Sequence, residues 1–134
     1  MLLGTSGERE EATRIGLLRI AIGGLGFLPA PIARRLVLIP RDEVTASTIF
    51  FTRAFGIRNM VMGLWTLAQR DAERARRRDW YRVNAAVDAV DLGLLLMLAL
   101  SGKRTRAFPG IGFALGGSAL LAWLDLIEEL DRAA

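Results

Sequence analysis

Long apolar runs alternate with short charged stretches along this chain. A hydrocarbon core about 30 Å thick asks for roughly 20 mostly apolar residues per spanning helix. Four segments approach that length, at about 14–30, 44–68, 80–100 and 108–127. The first is the shortest. It is interrupted by Arg19 and stopped by Pro29-Ala30-Pro31, and it gains length only if Arg14 snorkels to the interface. After the prolines, Ile32 to Ile39 carries Arg34-Arg35 between apolar residues and ends at Pro40, which reads as a short interfacial helix. Ahead of the first segment, Met1 to Thr13 is polar and mixed in charge. It lacks the basic-then-apolar order of a signal peptide, and Thr5 and Glu8 stand at capping-box spacing. The expectation is an all-α fold: one domain over residues 1–134, an integral membrane four-helix bundle with an interfacial helix after the first span.

Polar residues inside the apolar runs change the picture from plain spans to a bundle with a charged interior. A charge at the bilayer centre costs about 2.5–3.5 kcal/mol even on lenient scales, so it faces other helices and takes partners. Asn84, Asp88 and Asp91 recur at i, i+4, i+7 and share one face of the third run. Gly16, Arg19, Gly23 and Gly26 share a face of the first, and Arg53, Gly56, Met60 and Gly63 share one of the second. Gly112 and Gly116 make a small-xxx-small pair on the fourth. Small residues let helix backbones approach closely, so these faces predict helix–helix seams. Arg58 projects from another side of the second run. Depth along the helices sets Arg58 level with Asp91, and Arg19 level with Asp88, nearer the same end. Two buried pairs are therefore expected, Arg58–Asp91 and Arg19–Asp88. Arg53 lies toward the other end, where the third run offers only Leu and Met, and an anionic ligand or lipid headgroup is the partner left to it.

Composition agrees with a membrane layout. Of the 134 residues 52% are apolar, and the mean hydropathy is +0.33. Such values are high for a soluble domain of this size. Net charge is +4. The largest basic excess lies in Gln69 to Arg82, with Arg70, Arg74, Arg76, Arg77, Arg78 and Arg82. The positive-inside rule places that loop, and with four spans both termini, in the cytoplasm. The loop carries no nucleic-acid-binding motif. Trp80, Tyr81 and Trp123 fall near span ends, as aromatic belts do. The arginine, alanine and glycine excess suits a high-GC bacterial genome, hence a bacterial inner membrane.

With no cysteine and no histidine, there is no thiol nucleophile, no imidazole base and no soft metal ligand. No metal or cofactor is expected. Two aspartates one turn apart beside arginines are ion-pair members more often than a catalytic dyad, and a proton relay with only two carboxylates in the spans is thin. Gly23-Gly24-x-Gly26 has no preceding strand, so a nucleotide loop is excluded.

The string Arg53-Ala54-Phe55-Gly56-Ile57-Arg58-Asn59, then Gly63, then Asp88-Ala89-Val90-Asp91, with Ala30-Pro31 near the end of the first span, resembles a group of small four-span bacterial and fungal membrane proteins of unknown function. The resemblance covers roughly Arg19 to Leu100, and the fourth span carries no motif of the group. Relatives often have Asp where Asn59 stands. The resemblance implies the fold and no activity. Two functions remain open on the sequence. One is a non-catalytic membrane subunit or scaffold that associates with other membrane proteins or with itself. The other is a membrane-embedded binder, carrier or enzyme for a lipidic or small apolar ligand, with the cluster of Arg19, Arg53, Arg58, Asn59, Asn84, Asp88 and Asp91 as its polar end.

Overall fold

A computed structural model describes residues 7–29, 31–32, 44–101 and 107–132, with the side chains of 107–113 outside that description. The described residues form four α-helices and no strand: α1 (Glu8–Leu25), α2 (Ala46–Gln69), α3 (Arg74–Leu100) and α4 (Ala107–Arg132). The expected interfacial helix at 32–39 and Thr5 of the expected capping box fall almost wholly outside the described residues.

Local chemistry explains the helix ends. Gly7 caps α1 in place of a side-chain cap. Its extended backbone presents a carbonyl that accepts from the Glu10 and Glu11 amides at 3.1 Å each. Glu8, Glu10 and Glu11 in the first turn suit the positive end of the helix dipole. The Thr45 hydroxyl accepts from the Thr48 amide at 3.1 Å and caps α2. The basic stretch expected to be a linker is mostly helix. The turn between α2 and α3 spans only 70–73, and Arg74 through Arg82 form the first two turns of α3. Arginine and alanine are good helix formers, so nothing in Arg74-Ala75-Arg76-Arg77-Arg78 resists the helix.

The helices run up, down, up, down. Gly16 meets Gly63 and Gly23 meets Gly56, so α1 and α2 are antiparallel. Tyr81 stacks near Trp123 and Leu92 packs on Gly116, so α3 and α4 are antiparallel as well. Glu8–Arg77 and Arg19–Asp88 are both 69 residues apart, which sets α1 parallel to α3. The α1–α2 seam is lined by the glycines expected there. A methyl on Gly63 would stand 2.5 Å from the Gly16 carbonyl oxygen, and one on Gly23 2.5 Å from that of Gly56. Gly26 meets the Thr52 carbonyl in the same way at 2.9 Å. Gly116 faces α3 at Leu92, whereas the contacts of Gly112 lie outside the described side chains.

α1 with α2 and α3 with α4 make two close pairs, and the surfaces between the pairs touch less. The apolar core sits at one end. It is built of Ala12 and Ile15 from α1, Tyr81 and Ala85 from α3, and Ala122, Trp123, Leu126 and Leu130 from α4. Tyr81 (2% exposed) and Trp123 (0%) lie inside this core with ring centroids 5.5 Å apart. They are interior aromatics, not the interfacial belt their position suggested. Elsewhere polarity is inverted: Leu17, Leu18, Phe51, Val61, Leu64, Val90, Leu94 and Met97 are among the many large apolar side chains facing outward. One helix among the described residues, α3, is long and apolar enough by length and composition to cross a membrane. In α1, by contrast, Glu8, Arg9, Glu10, Glu11, Arg14 and Arg19 interrupt an 18-residue helix.

Candidate functional site: a buried polar centre shared by four helices

At the edge of the apolar core, every helix contributes to a single polar centre. Arg19 of α1 is 4% exposed and Asp88 of α3 likewise. Arg19 Nη2 donates to Asp88 Oδ2 at 2.5 Å. The Trp123 indole N–H, from α4, donates to the same oxygen at 3.0 Å. The other guanidinium nitrogen, Arg19 Nη1, donates to Asn59 Oδ1 of α2 at 3.0 Å and lies 3.9 Å from the Met62 sulfur. Asn59 is oriented for this by its own helix, since its Nδ2 donates to the Phe55 carbonyl at 3.0 Å and leaves the oxygen for Arg19. The guanidinium also lies 5.7 Å from the Trp123 ring centroid. Arg19 and Asp88 are thus held by each other, by the Asn59 amide oxygen and by the Trp123 indole, while Arg19 Nε has no hydrogen-bond partner among the described residues.

The second pair is shallower. Arg58 of α2 and Asp91 of α3 meet through both guanidinium ends, Nη1 with Oδ1 at 2.7 Å and Nη2 with Oδ2, a bidentate fork. Their side chains are 35% and 20% exposed, and the Arg58 guanidinium covers the Phe55 ring at 4.8 Å. These two pairings are the partners that depth and helix face select. Asn84, at 0% exposure, donates to the Trp80 carbonyl at 3.0 Å, and its Oδ1 has no hydrogen-bond partner among the described residues. Arg53 is not brought to the centre. It is exposed on α2, with no ion pair to any described residue.

Sequence reasoning missed a third link. Glu8 of α1 accepts from Arg77 Nε at 3.2 Å and from the Tyr81 hydroxyl, both on α3. Nearby, Trp80 Nε1 donates to the Thr66 hydroxyl at 3.0 Å, tying α3 to α2. The signal for Glu8–Arg77 was present as a repeat of the Arg19–Asp88 separation, but it acquires meaning only once α1 and α3 are known to be parallel. Glu11 was missed too, at 0% exposure in the first turns of α1. At this end of the bundle Glu129 of α4 has its carboxyl raised above the usual range, by burial first and then by the charges of Glu8, Asp125 and Glu11. Its Oε2 has no hydrogen-bond partner among the described residues.

Chemically, the centre neutralises itself. Both guanidinium groups are matched by carboxylates, and the described residues hold no group of three acidic side chains placed to bind a metal ion. No known protein family, no characterised protein and no solved structure matches this chain.

Proposed function

We propose that this chain is a multi-pass integral membrane protein, a four-span bundle with both termini cytoplasmic, acting as a non-catalytic subunit that associates with other membrane proteins or with itself. The observation that carries the reading is the inversion of polarity. Arg19, Asp88, Asn59, Asn84 and Glu11 are buried while Phe50, Phe51, Val90, Leu94, Met97 and Leu100 face outward. In water that arrangement would leave many large apolar side chains facing solvent. In lipid it is the stable one, because apolar helix faces meet acyl chains and polar groups find partners inside. Only 17% of the apolar window of α3 is buried, whereas the core helix of a soluble protein would bury most of it.

The charge balance of the centre, with each guanidinium matched by a carboxylate, favours a structural role over a ligand site. Its polar links cross between the α1–α2 and α3–α4 pairs, where interhelical hydrogen bonds and ion pairs act as glue in the absence of a hydrophobic drive. The resemblance to small four-span proteins of unknown function agrees with this architecture and leaves the activity open. Purification in a mild detergent followed by mass analysis tests the role. A stoichiometric protein partner or a defined homo-oligomer is expected. A retained small molecule on an otherwise lone monomer overturns the subunit reading in favour of a lipidic-ligand binder.

A further inference from the structure

We propose that the groove between the end of α2 and the start of α3 binds the phosphate headgroup of an anionic phospholipid through Arg76, with the acyl chain on Trp65, Trp80 and Val83. The proposal rests on the membrane reading above. The groove is open on the surface, offers about 310 Å³, and is lined by Trp65, Gln69, Arg76, Asp79, Trp80 and Val83. Arg76, Trp80 and Val83 recur at i, i+4, i+7 on α3, and Trp65 and Gln69 at i, i+4 on α2, so each wall is one helix stripe.

The walls grade from polar to apolar along the helix axes. Gln69 and Arg76 stand nearest the turn, Asp79 lies beside Trp80 about one helical turn further along α3, and Trp65 and Val83 continue the surface toward the apolar length of α3. Trp65 is 53% exposed and Val83 48%. The Trp80 indole N–H is committed to Thr66, which leaves its ring as a wall against Trp65, with centroids 6.2 Å apart.

Charge distinguishes Arg76 from its neighbours. Arg70 is engaged by Asp71 at 3.1 Å, Arg77 by Glu8 at 3.2 Å and Arg78 by Asp131 at 2.7 Å. Asp79 itself lies 3.9 Å from Arg82. Arg76 has no carboxylate within ion-pair distance among the described residues. It is a free guanidinium at the mouth of an aromatic-walled groove, one turn outside the apolar length of α3. A phosphodiester with two acyl chains matches that gradient, and guanidinium binds phosphate in a fork geometry.

The test uses the full chain in phosphatidylcholine vesicles, titrated with dibrominated phosphatidylglycerol or dibrominated phosphatidylcholine. Tryptophan quenching is the readout. Trp65 and Trp80 report on the groove, and the fully buried Trp123 gives a constant background. The expected result is a preference of about fivefold for the anionic lipid, as one arginine at a membrane surface supplies. Arg76→Gln is expected to abolish the preference, and Arg78→Gln, whose charge is already paired, to keep it. Equal quenching by both lipids in the native chain, or a preference that survives Arg76→Gln, overturns the site alone. A chain that neither floats with the vesicles nor is quenched by either lipid overturns the membrane reading and the site with it.

Discussion

At the scale of single residues, stability is concentrated in a few groups whose loss leaves a charge stranded. Arg19 and Asp88 have side chains 5% and 6% exposed. Removing one member of such a pair costs about 3–5 kcal/mol, because the other charge remains in a medium of low polarity. Asp88→Ala and Arg19→Ala are each expected to lower the thermal midpoint of the detergent-solubilised chain sharply. The double variant should cost much less than the sum, which a double-mutant cycle reads directly. Trp123→Phe deletes the hydrogen bond to a charged acceptor and also removes the five-membered ring from a fully buried site, and is expected to cost at least about 1.5–3 kcal/mol. Arg58→Ala is expected to be costly as well, since in the membrane the partly exposed Asp91 would be left facing acyl chains rather than water.

Glu129 acts in the opposite sense. Its carboxyl is raised by burial and by Glu8, Asp125 and Glu11, so between its unfolded and folded pKa values the folded state holds more protons than the unfolded state. Stability therefore falls as pH rises through that window, and below the unfolded value the effect vanishes. Glu129→Gln is expected to raise the thermal midpoint at pH 7 and to leave it unchanged in acid below the ordinary glutamate range. Melting curves at the two pH values check the sign.

At the scale of helices, the α1–α2 pair depends on having nothing between two backbones. A Cβ on Gly63 would press on a carbonyl oxygen at 2.5 Å, and a backbone atom cannot rotate away as a side chain can. Gly63→Ala is expected to destabilise by about 1–3 kcal/mol. Gly116→Ala meets only Leu92 Cδ2 at 3.2 Å, which a small side-chain shift relieves, and Gly93→Ala meets nothing within 4 Å. Gly93→Ala should be neutral or stabilise slightly through helix propensity. Melting the three variants side by side ranks the seams. The seams were legible because glycine spacing at three, four and seven residues marks a helix face on its own. What was not legible was the extent of α3. Charge density in Arg74–Arg82 suggests a loop, yet helix formation depends on propensity and on capture of Arg77 and Arg78 by α1 and α4, and neither requires an apolar residue.

At the scale of the molecule, the two close helix pairs are joined by the apolar core at one end and by polar links on both sides of it. Arg19–Asp88, Arg58–Asp91, Glu8–Arg77 and Trp80–Thr66 all cross between the pairs. The proposed topology puts the α2–α3 turn in the cytoplasm and the α3–α4 connection outside. The chain has no native cysteine, so single cysteines report without background. Asp71→Cys is expected to resist a membrane-impermeant maleimide in intact cells and to react in inverted vesicles, and Ser101→Cys to do the reverse.

The hydrophobic pattern and the placement of charges in it were sufficient for the all-helical class, the glycine faces and the depth match of Arg19 with Asp88 and Arg58 with Asp91, because helical periodicity and rise per residue are local properties that need no partner. Tertiary structure alone decided that Tyr81 and Trp123 turn inward, that Trp123 shares Asp88 with Arg19, that Glu8 closes on Arg77 and Tyr81, and that Arg76 is left outside the ion pairs of the described residues. Those outcomes depend on which helix lies beside which and in what rotation, and residues brought together across 35 to 73 positions of chain leave no periodic trace in the sequence of either helix.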